Sequence, residues 1–397
     1  MNLTKPEVSF FSEKVENDYI KKIEHCARIC YKSEDKIDLE YHVDQSKQMN
    51  DDDKKRANEM RDEMVALNRS MQFLGSLIAR GHTSVLEHYR PIYRVNEVLG
   101  QRLLMAKQIY NLKYIEVTPT TSNRLNEYED ILDANRGGYE DDDYYVSGNL
   151  RAFYDIKDIA IKDKYLKIFY HKLSEDFELL FQDQYIYKSN VQDSKMRKFF
   201  KWFMKKIYDE QYYITKIKSQ SINDKLIRSI HEAITVKIVS NRGFTHEAVR
   251  HRISSISQES SRYCNYSKDK FGKQLTFIDP QTTIDRIING NKEYPTKKLM
   301  QLNKDDIFNT IINFYEEANK TYMDLMTMGC MPDLARLVLP IGIKTEIVMT
   351  MTAKEWRDSF FSLRLTDNVH PDMLNISRPL LNKFKEKYEP LFKDINY

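Results

Sequence analysis

The sequence predicts a protein of mixed helix and strand, because segments of two different hydrophobic periods alternate along it. Met64, Leu67, Met71, Leu74 and Ile78 recur at steps of three and four, which puts them on one face of a helix that Gly81 stops. Thr235 to Val239 and Thr345 to Met351 alternate at the strand period of two. No repeat of fixed length is present, so a solenoid is excluded.

Taken in order, the chain up to residue 60 is charged and irregular, with Asp51 to Arg56 as a solvated run. The helix through Leu74 follows, then the segment Gly81-His82-Thr83-Ser84-Val85-Leu86-Glu87-His88 in an extended reading, and a strand over Pro91 to Val95. From about Asn96 to Arg228 the texture changes. Glu140 to Asp143 form an acidic tip after Gly137 and Gly138, and aromatic-rich helical patterns come later. This stretch reads as a partly helical insertion. One pattern, Lys195 to Tyr208, sets Phe199, Phe200, Phe203 and Ile207 against six basic residues, and is read as a helix packing its aromatic face with its lysines in water. After the strand at 235–239, Gly243-Phe244-Thr245 turns into a short helix with Thr245 as its N-cap. Asp305 and Asp306 open a long helix that Gly329 and Pro332 close, and Ala353 to Leu365 is helical in character.

The 397 residues, 41% of them hydrophobic, suffice for a sizeable core and two or three domains' worth of chain. Sixty-two Lys and Arg against 59 Asp and Glu leave a net charge of +3, so any anionic ligand must be caught locally rather than by an overall field. No run of about 18 apolar residues exists and the start lacks a basic-then-apolar pattern, so a soluble, cytoplasmic protein away from membranes is expected. Cys26, Cys30, Cys264 and Cys330 make neither a paired framework nor a CxxC knuckle. Reduced thiols are expected, with Cys26 and Cys30 in the core. His246 and His251, and His82 and His88, are spaced so that neither pair shares a helical face, and no metal site is expected.

The densest group of functional side chains is Arg250-His251-Arg252-Ile253-Ser254-Ser255-Ile256-Ser257-Gln258-Glu259-Ser260-Ser261-Arg262-Tyr263. Guanidinium forks pair bidentately with phosphate, and hydroxyls complete an oxyanion cradle. On composition alone a solvated basic turn explains it equally well. P-loop and dinucleotide fingerprints are absent, which argues against those solutions.

The order Arg-His-Arg, seven residues, Ser, and Arg two positions later resembles the signature of the flavin-dependent thymidylate synthases. Three more blocks resemble that family in its order: the segment Gly81 to His88, Ala335 to Pro340, and Leu363-Arg364. The likeness covers roughly residues 15–95 and 229–390, and implies a discontinuous catalytic domain of residues 1–95 and 229–397 around the 96–228 insertion. It implies an α+β fold with a central, largely antiparallel sheet flanked by helices. It further implies conversion of dUMP to dTMP, methylenetetrahydrofolate as carbon donor, NADPH as reductant, FAD as hydride carrier, and a homotetramer with shared active sites. Nucleic acid is not an expected partner.

Carried over position by position, the resemblance assigns Glu247, Arg250, Gln258, Glu259, Ser260, Ser261, Arg262, Arg336 and Arg364 to dUMP. Arg364 is the catalytic group that would stabilise negative charge on the pyrimidine. His82, Ser84, Arg250, His251, Arg252, Gln258, Thr352, Lys354 and Asp358 are assigned to FAD. The chain departs from the family in four places. Glu247 stands where Gln is frequent, Gln258 where many members have Glu, and Thr352-Ala353-Lys354 where Asn-x-Arg is common; the stretch before Arg364 is one residue longer than usual. Cys264 is not assigned a nucleophilic role. Two alternatives stay open: action on another pyrimidine nucleotide, and an inactive homologue that only binds nucleotides or nucleic acid.

Overall fold

The computed structural model describes residues 1–34, 67–123, 125, 143–178, 180–181, 212–290, 303–366 and 368–396. Its strands, in chain order, are β1 (Asn2–Thr4), β2 (Glu7–Phe10), β3 (Ile92–Val95), β4 (Ile115–Pro119), β5 (Tyr144–Gly148), β6 (Ile214–Ile217), β7 (Ala233–Asn241), β8 (Ser255–Gln258), β9 (Thr276–Ile278) and β10 (Lys344–Thr352). The chain divides into two compact units, residues 1–70, 234–351 and 355–397 in the first, and 71–233 with 352–354 in the second.

The first unit is built on a four-stranded sheet of order β2-β7-β10-β8, in which β2 with β7 and β10 with β8 are antiparallel. A parallel β1–β9 pair lies beside it in the same unit. Every residue of β10 after Lys344 is buried, although the sequence alternates polar and apolar there. Burial of its polar residues is possible because each finds a partner: Thr350 and Thr235 hydroxyls meet at 2.9 Å, and Glu346 is ion-paired. The helix Tyr19–Ile29 starts where the Asp18 carboxylate accepts from the Ile20 and Lys21 amides at 3.0 and 3.1 Å. It buries Cys26 against Ile29 and Val348, so that cysteine is core.

An aromatic cluster closes the other side of this unit. Phe384, from the helix Pro371–Lys387, lies 5.3 Å from Phe10 and 5.2 Å from Trp356, whose indole N–H donates to the Ile234 carbonyl at 3.0 Å. Truncating such a ring in a close-packed core costs about 3–5 kcal/mol. The long helix Lys304–Thr327 begins at an Asn303 cap and buries Tyr315 and Tyr322. Tyr315 stacks on Phe277 with ring centres 4.2 Å apart, and Gly342 is required beneath it because a Cβ there would overlap the phenol oxygen.

The second unit carries its own antiparallel sheet, β4-β5-β3-β6. The helix Glu97–Ile109 packs on it so closely that a Cβ at Gly100 would overlap Tyr144. The helix Lys164–Asp176 is capped by Asp163 and receives the Tyr93 hydroxyl on Asp176 at 2.8 Å. In the core of this unit the fully buried His231 lies 2.8 Å from the Thr118 hydroxyl and 2.7 Å from the Ser147 hydroxyl.

The α+β class is therefore as the sequence predicts, but the division of the chain differs from the expected 95/96 and 228/229 boundaries. β3 belongs with the segment after it, since it is hydrogen-bonded to β5 on one side and β6 on the other. The stretch 96–228 thus supplies strands as well as helices. Two local readings are also corrected. Asn241, not Thr245, caps the helix Arg242–Ala248, its side chain accepting from the Phe244 amide at 2.8 Å. Thr83–His88 is a 3₁₀ turn rather than extended, with Glu87 bound to Arg151 at 2.6 Å and His88 buried. The expected run at 51–56, most of the acidic tip and the basic helix at 195–208 lie outside the described residues.

Burial drives the His231 imidazole well below its ordinary value, and burial with the Arg364 charge pushes His251 down to about 4. Both histidines are neutral when folded and take up a proton on unfolding below pH 6.5. Their contribution to stability is therefore complete above that pH and declines as pH falls, by up to about 1.4 kcal/mol per unit for each ring. His231→Gln should flatten the fall in urea-unfolding midpoint between pH 6 and 4.5 without abolishing it; an unchanged slope would show that His231 is not held neutral.

Candidate functional site

The predicted arginine-serine segment is positioned by two elements of the first unit. Ahead of it, the Asn241-capped helix ends at Ala248 and leads into the turn of Arg250, His251 and Arg252. Behind that turn, β8 pairs with β10 in the register Gln258 opposite Ile347 and Ser257 opposite Val348. The segment then leaves the sheet under tight backbone control: the Glu259 amide donates to the Glu346 carbonyl at 2.8 Å, and the Ser260 amide to the Cys30 carbonyl at 3.0 Å.

Arg364 is drawn to the Arg250–Arg252 turn by three hydrogen bonds. Its Nε donates to His251 Nε2 at 3.0 Å, Nη1 to Glu247 Oε2 at 2.9 Å, and Nη2 to the Glu247 carbonyl at 3.0 Å. A guanidinium cannot accept, so His251 Nε2 carries the lone pair and Nδ1 the proton, which points to Ser359 Oγ at 3.2 Å. The neutral state of His251 is what this chain of donors requires. Ser359 lies in a π-helical turn, Trp356–Phe361, that follows directly on β10 and the short helix at 353–355. A π turn takes one residue more than an α turn, and this one lies within the stretch that leads to Arg364.

The other predicted residues separate into three groups. Arg250, Arg252 and Arg336 are exposed and form neither ion pair nor side-chain hydrogen bond among the described residues, while Arg262 is exposed with its guanidinium 5.3 Å from the Tyr263 ring centre. Ser260 and Ser261 are half-buried, the Ser260 hydroxyl accepting from the Arg262 amide at 3.3 Å. Gln258 and Glu259 are instead committed within the protein. The Gln258 amide donates to Thr245 and Thr345 hydroxyls at 3.0 and 3.4 Å. Glu259, 1% exposed, accepts from the Tyr266 hydroxyl at 2.8 Å and Lys344 at 3.1 Å. Asp358 is exposed on the π turn. His82 and Ser84, both exposed, and Thr352 and Lys354, buried and exposed respectively, fall in the second unit.

Sequence reasoning missed the ion cluster beneath the segment. Glu346, nearly buried on β10, is reached by Lys32 at 2.8 Å, Lys237 at 2.7 Å and Lys344 at 2.6 Å, and these charges hold its carboxyl well below the usual range despite burial. The signal available was a Lys-x-Glu pair, Lys344 and Glu346, on one face of a strand that is buried beyond its first residue.

A family model described as "Thymidylate synthase complementing protein" matches residues 205–389, which hold the segment Glu247 to Arg262, Arg336 and Arg364. The matched stretch, just under half of the chain, is similar to the flavin-dependent thymidylate synthases. Flavin-dependent thymidylate synthases from Saccharolobus solfataricus, Pyrococcus abyssi and Geobacter sulfurreducens are 31%, 26% and 29% identical over 164, 167 and 154 residues. These matches cover 41%, 41% and 39% of this chain and 54%, 59% and 56% of the relatives. The chain thus spans about half the length of the curated relatives it matches. These relatives are named for their dependence on a flavin.

Cys264, the thiol nearest the segment, is buried, and burial with the neighbouring Glu259 pushes it up to about 12. In the native protein at pH 8, iodoacetamide should leave Cys264 unmodified by peptide mass spectrometry and label it only after denaturation; rapid native labelling would show a thiolate that the fold does not provide for.

Proposed function

We propose that the protein is an FAD-dependent thymidylate synthase that converts dUMP, methylenetetrahydrofolate and NADPH with a proton to dTMP, tetrahydrofolate and NADP⁺. The observation that carries this reading is how the arginines are spent. Arg28, Arg94, Arg151, Arg228 and Arg357 each hold an acidic side chain of this chain. Arg250, Arg252, Arg262 and Arg336 hold none among the described residues, and all four lie in or beside the blocks that resemble the family. Exposed guanidiniums without internal partners, next to the Ser260 and Ser261 hydroxyls, are suited to phosphate dianions.

In this reading Arg262, Arg336, Ser260 and Ser261 bind the nucleotide phosphate and sugar. Arg250 and Arg252 hold the FAD pyrophosphate; the resemblance assigns His82, Ser84, Thr352, Lys354 and Asp358 to the flavin as well. FAD, when bound and reduced by NADPH, would supply the hydride that reduces the transferred one-carbon unit. Arg364 faces the pyrimidine, with the two N–H groups it does not spend on Glu247 and His251 available to negative charge on the ring. His251 and Ser359 fix the guanidinium plane. Gln258 and Glu259 act beneath the site, holding the segment rather than the ligand. Assembly into a homotetramer with shared sites is supported by the exposed row Met328, Met331, Leu334, Leu337 and Ile341, which brackets Arg336.

Purified protein supplied with FAD, dUMP, methylenetetrahydrofolate and NADPH should form dTMP, measured by chromatography. Absence of both dTMP and dUMP-dependent flavin oxidation would end the enzymatic reading. If dTMP is absent but another pyrimidine nucleotide is methylated or hydroxymethylated, the substrate assignment alone changes.

The two nucleotide arginines should behave differently. A phosphate contact present in ground and transition states alike raises KM when it is lost, whereas charge stabilisation that grows toward the transition state sets kcat. Arg336→Ala should be partly rescued by excess dUMP, and Arg364→Ala should not. Full rescue of both by dUMP would contradict the separate roles.

A further inference from the structure

Glu247 is an acidic group set against the guanidinium on which the proposed reaction relies, so any role given to it rests on the thymidylate synthase reading. The ion pair is close, 2.9 Å, and doubled by the bond from Arg364 Nη2 to the Glu247 backbone carbonyl. Arg364 keeps 14% side-chain exposure and Glu247 36%, so the pair lies at the edge of the body, where a ligand can reach it. Of the five guanidinium N–H groups, three are committed and two remain. The carboxylate leaves those two donors in a fixed direction while cancelling much of the positive charge behind them.

A phosphate dianion placed beside this carboxylate would be repelled, which removes Glu247 from the phosphate contacts. An uncharged pyrimidine edge is not repelled. We propose that Glu247 is a positioning and charge-setting residue for Arg364: it orients the guanidinium and makes the site favour the pyrimidine with its N3 protonated in the ground state, so that Arg364's charge is drawn on only as negative charge develops in the ring. Other ionisable groups on the two elements that form the pair are His246, Arg250 and Arg252 around Glu247, and Arg357 and Asp358 near Arg364. Arg357 is held by Asp394 at 2.8 Å and His251 is neutral, so Glu247 is the anion paired directly with Arg364 in the described structure.

The test compares two ligands that share a phosphate and differ in ring acidity. dUMP and 5-fluoro-dUMP, whose fluorine makes N3 more acidic, are titrated calorimetrically at pH 8 into the FAD-loaded protein and into Glu247→Gln, which keeps an acceptor for Arg364 but removes the charge. Glu247→Gln should tighten the fluorinated nucleotide about tenfold more than dUMP, the scale of one partly screened charge several ångströms away. Glu247→Ala, which also releases the guanidinium, should lower kcat with little change in the KM for dUMP. Equal changes for both ligands would mean that Glu247 acts on the phosphate, and no change would mean that it acts on neither; either result overturns the proposal. Circular dichroism of both variants checks the fold. If the unmodified protein binds neither nucleotide, the thymidylate synthase reading itself fails, and that result is visible before any variant is made.

Discussion

The buried carboxylate of Glu346 is the constraint around which the arginine-serine segment of the first unit is arranged. Three lysines reach it from separate places in the sequence: Lys32 from the turn after the first long helix, Lys237 from β7 and Lys344 from its own strand. Its backbone carbonyl takes the Glu259 amide, and Lys344 passes on to the Glu259 carboxylate. A carboxylate taken out of water is costly unless fully paired, and removing one partner of such a group typically costs about 3–5 kcal/mol. Ser260 and Arg262 therefore inherit their place from charges that do not touch the ligand.

That arrangement shows how two kinds of arginine can coexist in one chain. Structural ones, such as Arg28 against Glu24 at 2.6 Å, are paired and partly dried. Arg250, Arg252 and Arg336 stay in water with their donors uncommitted. Arg364 is intermediate: it is fastened along one edge by Glu247 and His251 and open along the other. A guanidinium already oriented loses less rotational freedom on meeting a ligand, which is the physical gain of fastening it.

Much of the first unit is legible in the sequence because its signals are local. The strand period of β7 and β10, the Gly329 stop and the spacing of Arg250 to Arg262 are all written within a few residues of one another. What cannot be read depends on distant partners. That Tyr266 and Lys344 would both bond the Glu259 carboxylate is one such case. The π turn before Arg364 has no local sequence signal of its own. Thr245 reads as a cap because its hydroxyl and the Asn241 side chain, four positions earlier, carry the same signal, and only the backbone decides which is used. β5 and β6 escape a sequence reading because both are short, and β5 begins immediately after an acidic run that reads as loop.

The pairing of β2 with β7 carries a consequence for how the chain is made. Val8 lies opposite Ile238, and the whole second unit, apart from residues 352–354, is encoded between them. At translation rates of about 5–20 residues per second, roughly ten to fifty seconds pass before the partner of β2 has been synthesised. β3 finds β5 and β6 within that interval, so the second unit has its strands in hand while β2 still presents an unpaired edge. An edge left open for so long invites pairing with other chains, and β2 is short and carries Glu7 at its start, features that limit that hazard.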